Sequence, residues 1–177
     1  MKNHLILFAF TILLSSCAST NNPSTPEANT PPPAPFEKIM FHTSQCFGAC
    51  PVYHLEVDGN KNVKLFAEEI FARGGDMHAR DSSKMGYFKG KADDAAFNKL
   101  VHEIETIGID TLNFGDAHCC DGSLVTIIVY RNGKRKFMES MFPPERTKSL
   151  IAALYDICEK SKLERTEEKF TIESSEK

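Results

Sequence analysis

Two closely spaced cysteines are the residues of this chain best suited to chemistry. They lie in the run C-F-G-A-C-P-V-Y over residues 46–53. A disulfide between Cys46 and Cys50 would close a tight loop, because Gly48 supplies backbone freedom and Pro51 stiffens the exit from the loop. The chain-entropy model gives so short a loop only about 2 kcal/mol, so the bridge would mainly fix local geometry. A structural disulfide is the interpretation we favour.

Other chemistry stays open for the same thiols. Thiolate and imidazole are ligands of Zn²⁺ and Cu(I), and the residues that could supply them together are Cys46, Cys50, His118, Cys119 and Cys120. Thiol–disulfide exchange is less favoured, because redox enzymes usually place C-x-x-C at a helix N-terminus, whereas this pair leads into a predicted strand. Bridges from Cys46 or Cys50 to Cys119 or Cys120, and a strained Cys119–Cys120 bridge, are the remaining pairings. With the favoured disulfide we expect no cofactor.

The other reactive side chains give little support for catalysis. The sequence has no G-x-S-x-G, H-E-x-x-H, P-loop or dinucleotide-binding fingerprint. His42, His54 and His78 are scattered, which is typical of solvated surface histidines. Cys158 follows Leu154 by four residues on the apolar stripe of a predicted helix, which favours a buried, inert thiol. The sequence therefore favours a non-enzymatic role.

The first residues predict export and lipidation. Lys2 precedes an apolar core over residues 5–14, which is too short to span a bilayer (about 20 apolar residues) but typical of a secretory signal. Residues 14–17, L-S-S-C, resemble the bacterial lipobox, in which cleavage precedes the cysteine and the thiol carries a diacylglycerol. We predict a signal peptide over residues 1–16 and lipidation of Cys17. A plain signal peptide or a short membrane anchor is the alternative.

The residues after Cys17 decide the predicted location. No aspartate follows that cysteine to resemble an inner-membrane retention signal, and no acidic cluster follows to resemble a surface-export signal. We therefore predict an outer-membrane lipoprotein of the bacterial cell envelope that faces the periplasm. An exported domain meets an oxidising compartment, where disulfides are the default state of paired cysteines.

Composition divides the rest of the chain into three parts. Residues 17–35 hold the lipidated cysteine and six prolines among Ser, Thr and Asn, the composition of a tether that cannot offset its ordering entropy by burial. Residues 36–163 are predicted to form a single α+β domain. Residues 164–177 are charged and are predicted to fray, although residues 170–172 could dock as an edge strand.

Alternating and helical patterns of apolar residues predict the fold class. The predicted strands are residues 39–41, 53–57, 63–67, 85–89, 123–130 and 135–142. One apolar helical stripe runs from Phe97 to Ile107 and another from Leu150 to Ile157. We therefore predict a two-layer α+β fold, an antiparallel sheet of about 5–6 strands with two helices packed on one face.

Local signals mark the ends of these elements. Asp93 or Asp94 can cap the first helix, and Gly108 suits the left-handed position at its end. Asn132 and Gly133 predict a type I′ hairpin turn between the last two predicted strands.

The charge of the chain argues against nucleic acid as a partner. The formal net charge is −3 at pH 7, and nucleic-acid binding requires a clustered basic face. The compact basic run at residues 134–136 follows the predicted Asn-Gly turn, which favours a solvated hairpin end.

The run over residues 46–53, followed by Asp58 and Gly59, resembles an uncharacterised bacterial family of exported domains with the signature C-F-G-x-C-P-x-Y. The resemblance covers residues 36–161. It matches Asp121 to a family aspartate before the central strand. This chain departs from the family there, with C-C-D-G at residues 119–122 in place of T-D-x-P. The resemblance implies a fold and an envelope location, and it implies no activity.

Two functional hypotheses follow. The first is a lipid-anchored, non-enzymatic envelope module that is held at the membrane by its lipid and binds another envelope protein through its sheet or loop surface. The second is a metal-binding or thiol-redox envelope protein that uses Cys46 and Cys50 with the loop over residues 118–120.

Overall fold

A computed structural model describes residues 33–72, 79–115 and 121–174 of the chain. The strands are β1 (Lys38–Thr43), β2 (Val52–Asp58), β3 (Asn62–Glu69), β4 (Gly86–Lys91), β5 (Val125–Arg131), β6 (Lys134–Ser140) and β7 (Leu163–Arg165). The α-helices are α1 (Asp94–Thr106) and α2 (Lys148–Lys160), and short 3₁₀ helices cover Ser82–Lys84, Ile109–Thr111 and Glu145–Thr147.

The strands form one open antiparallel sheet in the order β6-β5-β1-β2-β3-β4-β7. The predicted α+β class is confirmed. The predicted number of 5–6 strands is wrong, because β7 adds a seventh strand at the edge of the sheet. β7 has three residues in a charged stretch and therefore carries no alternating pattern that could have predicted it. It pairs with Phe88, Lys89 and Gly90 of β4.

The turns and caps follow the local chemistry that predicted them. Asn132 and Gly133 both have positive φ, as the type I′ turn between β5 and β6 requires. The Asp93 side chain accepts hydrogen bonds from two backbone N–H groups in the first turn of α1, which satisfies donors that the helix itself cannot. Gly108 adopts the left-handed conformation just after α1.

Both helices pack on one face of the sheet. Strand side chains alternate between the two faces, and the alternate residues Phe41 of β1 and Leu55 of β2 share the main core cluster with Leu100 of α1 and Leu154 of α2. All four are fully buried. We call this side of the sheet the helix face.

The opposite side of the sheet, the outer face, carries Met40, His42, His54 and Ile128. Met40 and Ile128 are fully buried there, although neither helix lies on this side. They form a second, smaller core cluster with Ile172 from the end of the chain.

Residues 166–174, which we call the C-terminal strap, cross the outer face. Thr166 donates its backbone N–H to the Tyr87 carbonyl of β4 at 2.9 Å, and Glu173 contacts Tyr130 of β5 and Arg135 of β6. We predicted a frayed tail from residue 164, or an edge strand at residues 170–172. The structure instead shows a docked segment without strand pairing in that range. The strap is ordered by contacts with residues far away in the sequence, and no local sequence pattern predicts such contacts.

Candidate functional site at the disulfide loop

A disulfide joins Cys46 and Cys50, and the two Cα atoms lie 5.7 Å apart. Residues 46–50, the disulfide loop, lie within the connection between β1 and β2. This is the pairing that the sequence favours. Inside the loop, the Gly48 N–H donates to the Cys46 carbonyl at 2.8 Å, which tightens the turn further.

Hydrogen bonds fix the base of the disulfide loop to the sheet. The Thr43 hydroxyl donates to the Pro51 carbonyl at 2.8 Å and accepts from the Tyr53 N–H at 2.9 Å. The Phe47 N–H donates to the Asp121 carbonyl at 3.0 Å, close to the start of β5. The disulfide and these hydrogen bonds together constrain the backbone of the loop and satisfy its polar groups.

Phe47 is the most exposed large hydrophobic side chain in the described part of the chain. It is 89% exposed, and Phe142 follows at 56%. A solvated phenylalanine contributes nothing to folding, whereas aromatic side chains buried at protein interfaces often carry much of the binding energy. A rigid loop that presents such a side chain can act as an anchor for a partner.

An open cleft of about 830 Å³ borders the disulfide loop. Ala49 and Pro51 form its wall on the loop side, Tyr53 and Leu65 lie on the sheet, and residues 158–161 at the end of α2 complete the boundary. A smaller cavity of about 290 Å³ reaches Cys46 and Gly48 and includes an ion pair between Glu69 and Arg80. The disulfide loop therefore combines a projecting aromatic side chain with concave surface beside it.

The family comparison covers this region. The model of a family described as a domain of unknown function, DUF6438, matches residues 37–158. The chain belongs to this family. The match includes the disulfide loop and ends before β7 and the C-terminal strap. No curated protein matches the chain.

Several predicted site residues fall outside the described residues. These are the lipidation residue Cys17 and the three candidate metal ligands His118, Cys119 and Cys120, so the metal hypothesis stays a prediction. Across residues 33–72, 79–115 and 121–174, no group of three or more His, Cys, Asp or Glu side chains is placed to hold a metal ion. None of the helices described there is long and apolar enough to cross a membrane.

Cys158, the last residue of the DUF6438 match, is a free thiol on the buried side of α2. Burial raises the pKa of this thiol well above its ordinary value, because desolvation disfavours the thiolate. The thiolate is the nucleophilic form of cysteine. The prediction of a buried, inert thiol is thus consistent with its position.

The DUF6438 domain also holds a pair of histidines, His42 and His54. The prediction that these histidines are solvated surface residues is wrong for His42. Its side chain is 5% exposed, and its Nδ1 lies 2.8 Å from Nδ1 of His54. Nε2 of His42 lies 2.7 Å from the Glu173 carbonyl, and Nε2 of His54 lies 3.0 Å from the Glu68 carboxylate. Burial lowers the pKa of His42 to about 4, although the Glu173 carbonyl opposes the shift.

Part of this pair could have been found from the sequence. In an antiparallel β1–β2 hairpin the register places His42 opposite His54. Both residues alternate along their strands with apolar residues of the helix face, so both lie on the outer face. The contact between His42 and Glu173 joins residues 131 positions apart in the sequence, and no local sequence pattern predicts it.

Proposed function

We propose that this protein is a lipid-anchored module of the bacterial cell envelope, located at the outer membrane and facing the periplasm, which binds another envelope protein without catalysing a reaction. The anchor rests on the lipobox-like residues before Cys17. The binding role rests on one observation, the exposure of Phe47 on a disulfide loop whose base is fastened to the sheet.

The domain leaves the large apolar side chain of Phe47 in water. An aromatic ring left in water on a rigid loop gains no folding free energy, but it loses little conformational entropy when a partner covers it. The cleft beside the loop offers room for a side chain of the partner, and its rim carries the polar groups of Glu159 and Lys160. This arrangement is typical of an interface in which one aromatic anchor is surrounded by a polar rim.

Photocrosslinking in the native bacterium tests the binding role. A benzophenone amino acid replaces Phe47 in one variant and Phe142, the second exposed phenylalanine, in the matched control. We expect a discrete adduct from position 47 at several times the yield from position 142. Equal adduct patterns at the two positions would contradict the proposal, as would about one equivalent of bound zinc or copper that is lost in Cys46→Ser.

Membrane fractionation tests the anchor separately. Cys17→Ser should move the protein from the membrane fraction to the soluble periplasmic fraction, because loss of the acyl chains removes about 0.8 kcal/mol of membrane affinity per buried CH₂ group. Unchanged fractionation of this variant would contradict lipidation.

A further inference from the structure

The end of the C-terminal strap is recognised by a set of specific side chains. The Glu173 carboxylate accepts hydrogen bonds from the Tyr130 hydroxyl at 2.9 Å and from Nε of Arg135 at 2.8 Å. Ile172, the preceding residue, is buried against Met40 and Ile128. Two consecutive residues of the strap are therefore bound by different groups. The aliphatic Ile172 packs in an apolar pocket, and the acidic Glu173 accepts a hydrogen bond from a cationic donor.

The rest of the strap lies along a row of aromatic rings. His54, Phe66 and Tyr87 stack across β2, β3 and β4, with centroids 5.6 Å and 4.4 Å apart. Phe170 of the strap packs edge-on against Tyr87 at 5.1 Å. Lys89 of β4 forms an ion pair with Glu168 at 2.7 Å. The outer face thus contacts every second strap residue from Glu168 to Ile172, as expected for an extended segment.

The hydrogen bonds of the histidine pair define how the strap is held. A carbonyl oxygen only accepts, so Nε2 of His42 donates to Glu173 and its Nδ1 carries a lone pair. Nδ1 of His54 must then donate to that lone pair. Nε2 of His54 lies 3.0 Å from the Glu68 carboxylate, which can accept a hydrogen bond from it. Three contacts therefore connect Glu68, His54, His42 and Glu173 in series.

We propose that the outer face is a recognition site for an extended peptide segment in which an aliphatic residue precedes an acidic one, and that the C-terminal strap occupies this site in cis. The strap lies outside the residues matched by the family and forms no strand with the sheet beyond β7. Backbone hydrogen bonds of Thr166 and Glu173 and contacts of alternate side chains hold it, and extended peptide ligands are bound by the same two kinds of contact. This site is separate from Phe47 and does not depend on the function proposed above.

Acid should weaken this recognition. A proton on Nδ1 of His42 would place two donors against each other at 2.8 Å and break the link to His54. The titratable groups that face His42 are His54 with its partner Glu68, and Glu139 of β6, which accepts a hydrogen bond from Thr126. Arg135 and Glu173 complete the surroundings. The lowered pKa of His42 agrees with a neutral ring in the occupied site.

Fluorescence anisotropy with a labelled peptide tests the proposal on the full chain. The probe is a fluorescein-labelled synthetic peptide with the sequence of residues 163–177. In the Ile172→Ala/Glu173→Gln double variant the chain's own strap competes poorly, so we expect this variant to bind the peptide at least tenfold tighter than the native chain. A peptide that carries the same two substitutions should bind at least tenfold more weakly. Binding to the variant should weaken as the pH falls from 7 to 5.

Matched controls separate recognition from general effects. Glu167→Gln, at an exposed acidic strap position, should leave peptide affinity at the native level, and so should Phe47→Ala. If the double variant does not melt cooperatively, the isosteric Glu173→Gln variant replaces it. We then expect the peptide to bind about threefold tighter than it binds to the native chain. Equal affinity of a folded variant and the native chain for the peptide, or equal binding of the substituted peptide, overturns the proposal.

Discussion

The two faces of the sheet are covered in different ways. On the helix face, two amphipathic helices bury a large apolar cluster that includes Leu100 and Leu154. On the outer face, a single strap covers a small apolar cluster and is held by directed polar contacts of His42 and Arg135. The first layer forms the permanent core, and the second has the composition of a binding interface, with an apolar centre and charged groups around it.

This difference predicts how each face responds to change. Apolar burial is non-directional and depends little on pH, whereas hydrogen bonds to ionisable groups change with protonation. Substitutions on the helix face should therefore destabilise the whole domain. Substitutions and acid on the outer face should act first on the docking of the strap.

The largest expected effect is a cavity on the helix face. Leu154→Ala removes a fully buried side chain of α2 and should lower the free energy of unfolding by about 3–4 kcal/mol. Ile172→Ala, the matched change in the strap itself, should cost less than half as much, because a strap that undocks leaves no cavity behind. Urea denaturation monitored by circular dichroism measures both values. Equal losses would break the distinction between the faces.

Acid should act through His42. Its folded pKa of about 4 lies below the ordinary value of 6.5, so between these values the unfolded chain binds a proton that the folded chain does not. The stability contributed by neutral His42 is therefore present above about pH 6.5 and is lost as the pH falls toward 4. The full loss corresponds to about 3 kcal/mol.

Urea denaturation between pH 7 and pH 4 checks this effect by comparison with His42→Gln. Both proteins carry the same carboxylates, so the comparison between the two pH profiles reports on the imidazole of His42. We expect the native protein to lose stability more steeply than the variant. Parallel profiles would show that His42 does not control the outer face.

Opening the disulfide should affect the two faces equally. Cys46→Ser/Cys50→Ser should lower the free energy of unfolding by about 2 kcal/mol, because the unfolded chain regains the entropy of a short loop. His42→Gln should change the pH profile of stability by the same amount with and without the disulfide. A different amount would mean that the disulfide loop also supports the strap.

The smallest expected effect concerns a helix cap. Asp93→Ala should cost about 1 kcal/mol, because it removes the acceptor of two N–H groups at the start of α1. Asp94→Ala is the matched control and should change stability much less than Asp93→Ala, since the ion pair of Asp94 with Lys61 is exposed to solvent. Thermal melting ranks the two variants, and strap docking should be unaffected in both.

The contrast between the faces also explains what the sequence could predict. The Asn132-Gly133 turn, the Asp93 cap and the buried stripe of α2 depend on residues close together in the chain, and their patterns identified them. The strap depends on Glu173 meeting His42 and Arg135, which are far from it in sequence. Likewise the sequence favoured the Cys46–Cys50 bridge, but the exposure of Phe47 follows from the way the loop projects from the assembled sheet.

Native-state hydrogen exchange on the full chain tests most directly the claim that the outer face is covered by a separable segment. The amides of residues 166–174 should exchange through a local opening that depends little on denaturant and costs at least about 2 kcal/mol less than the opening of α2. After correction for intrinsic rates, acidification from pH 7 to pH 5 should favour strap opening further. If strap amides instead exchange with the same free energy and denaturant dependence as α2, the strap is part of the permanent core and is not a separable segment.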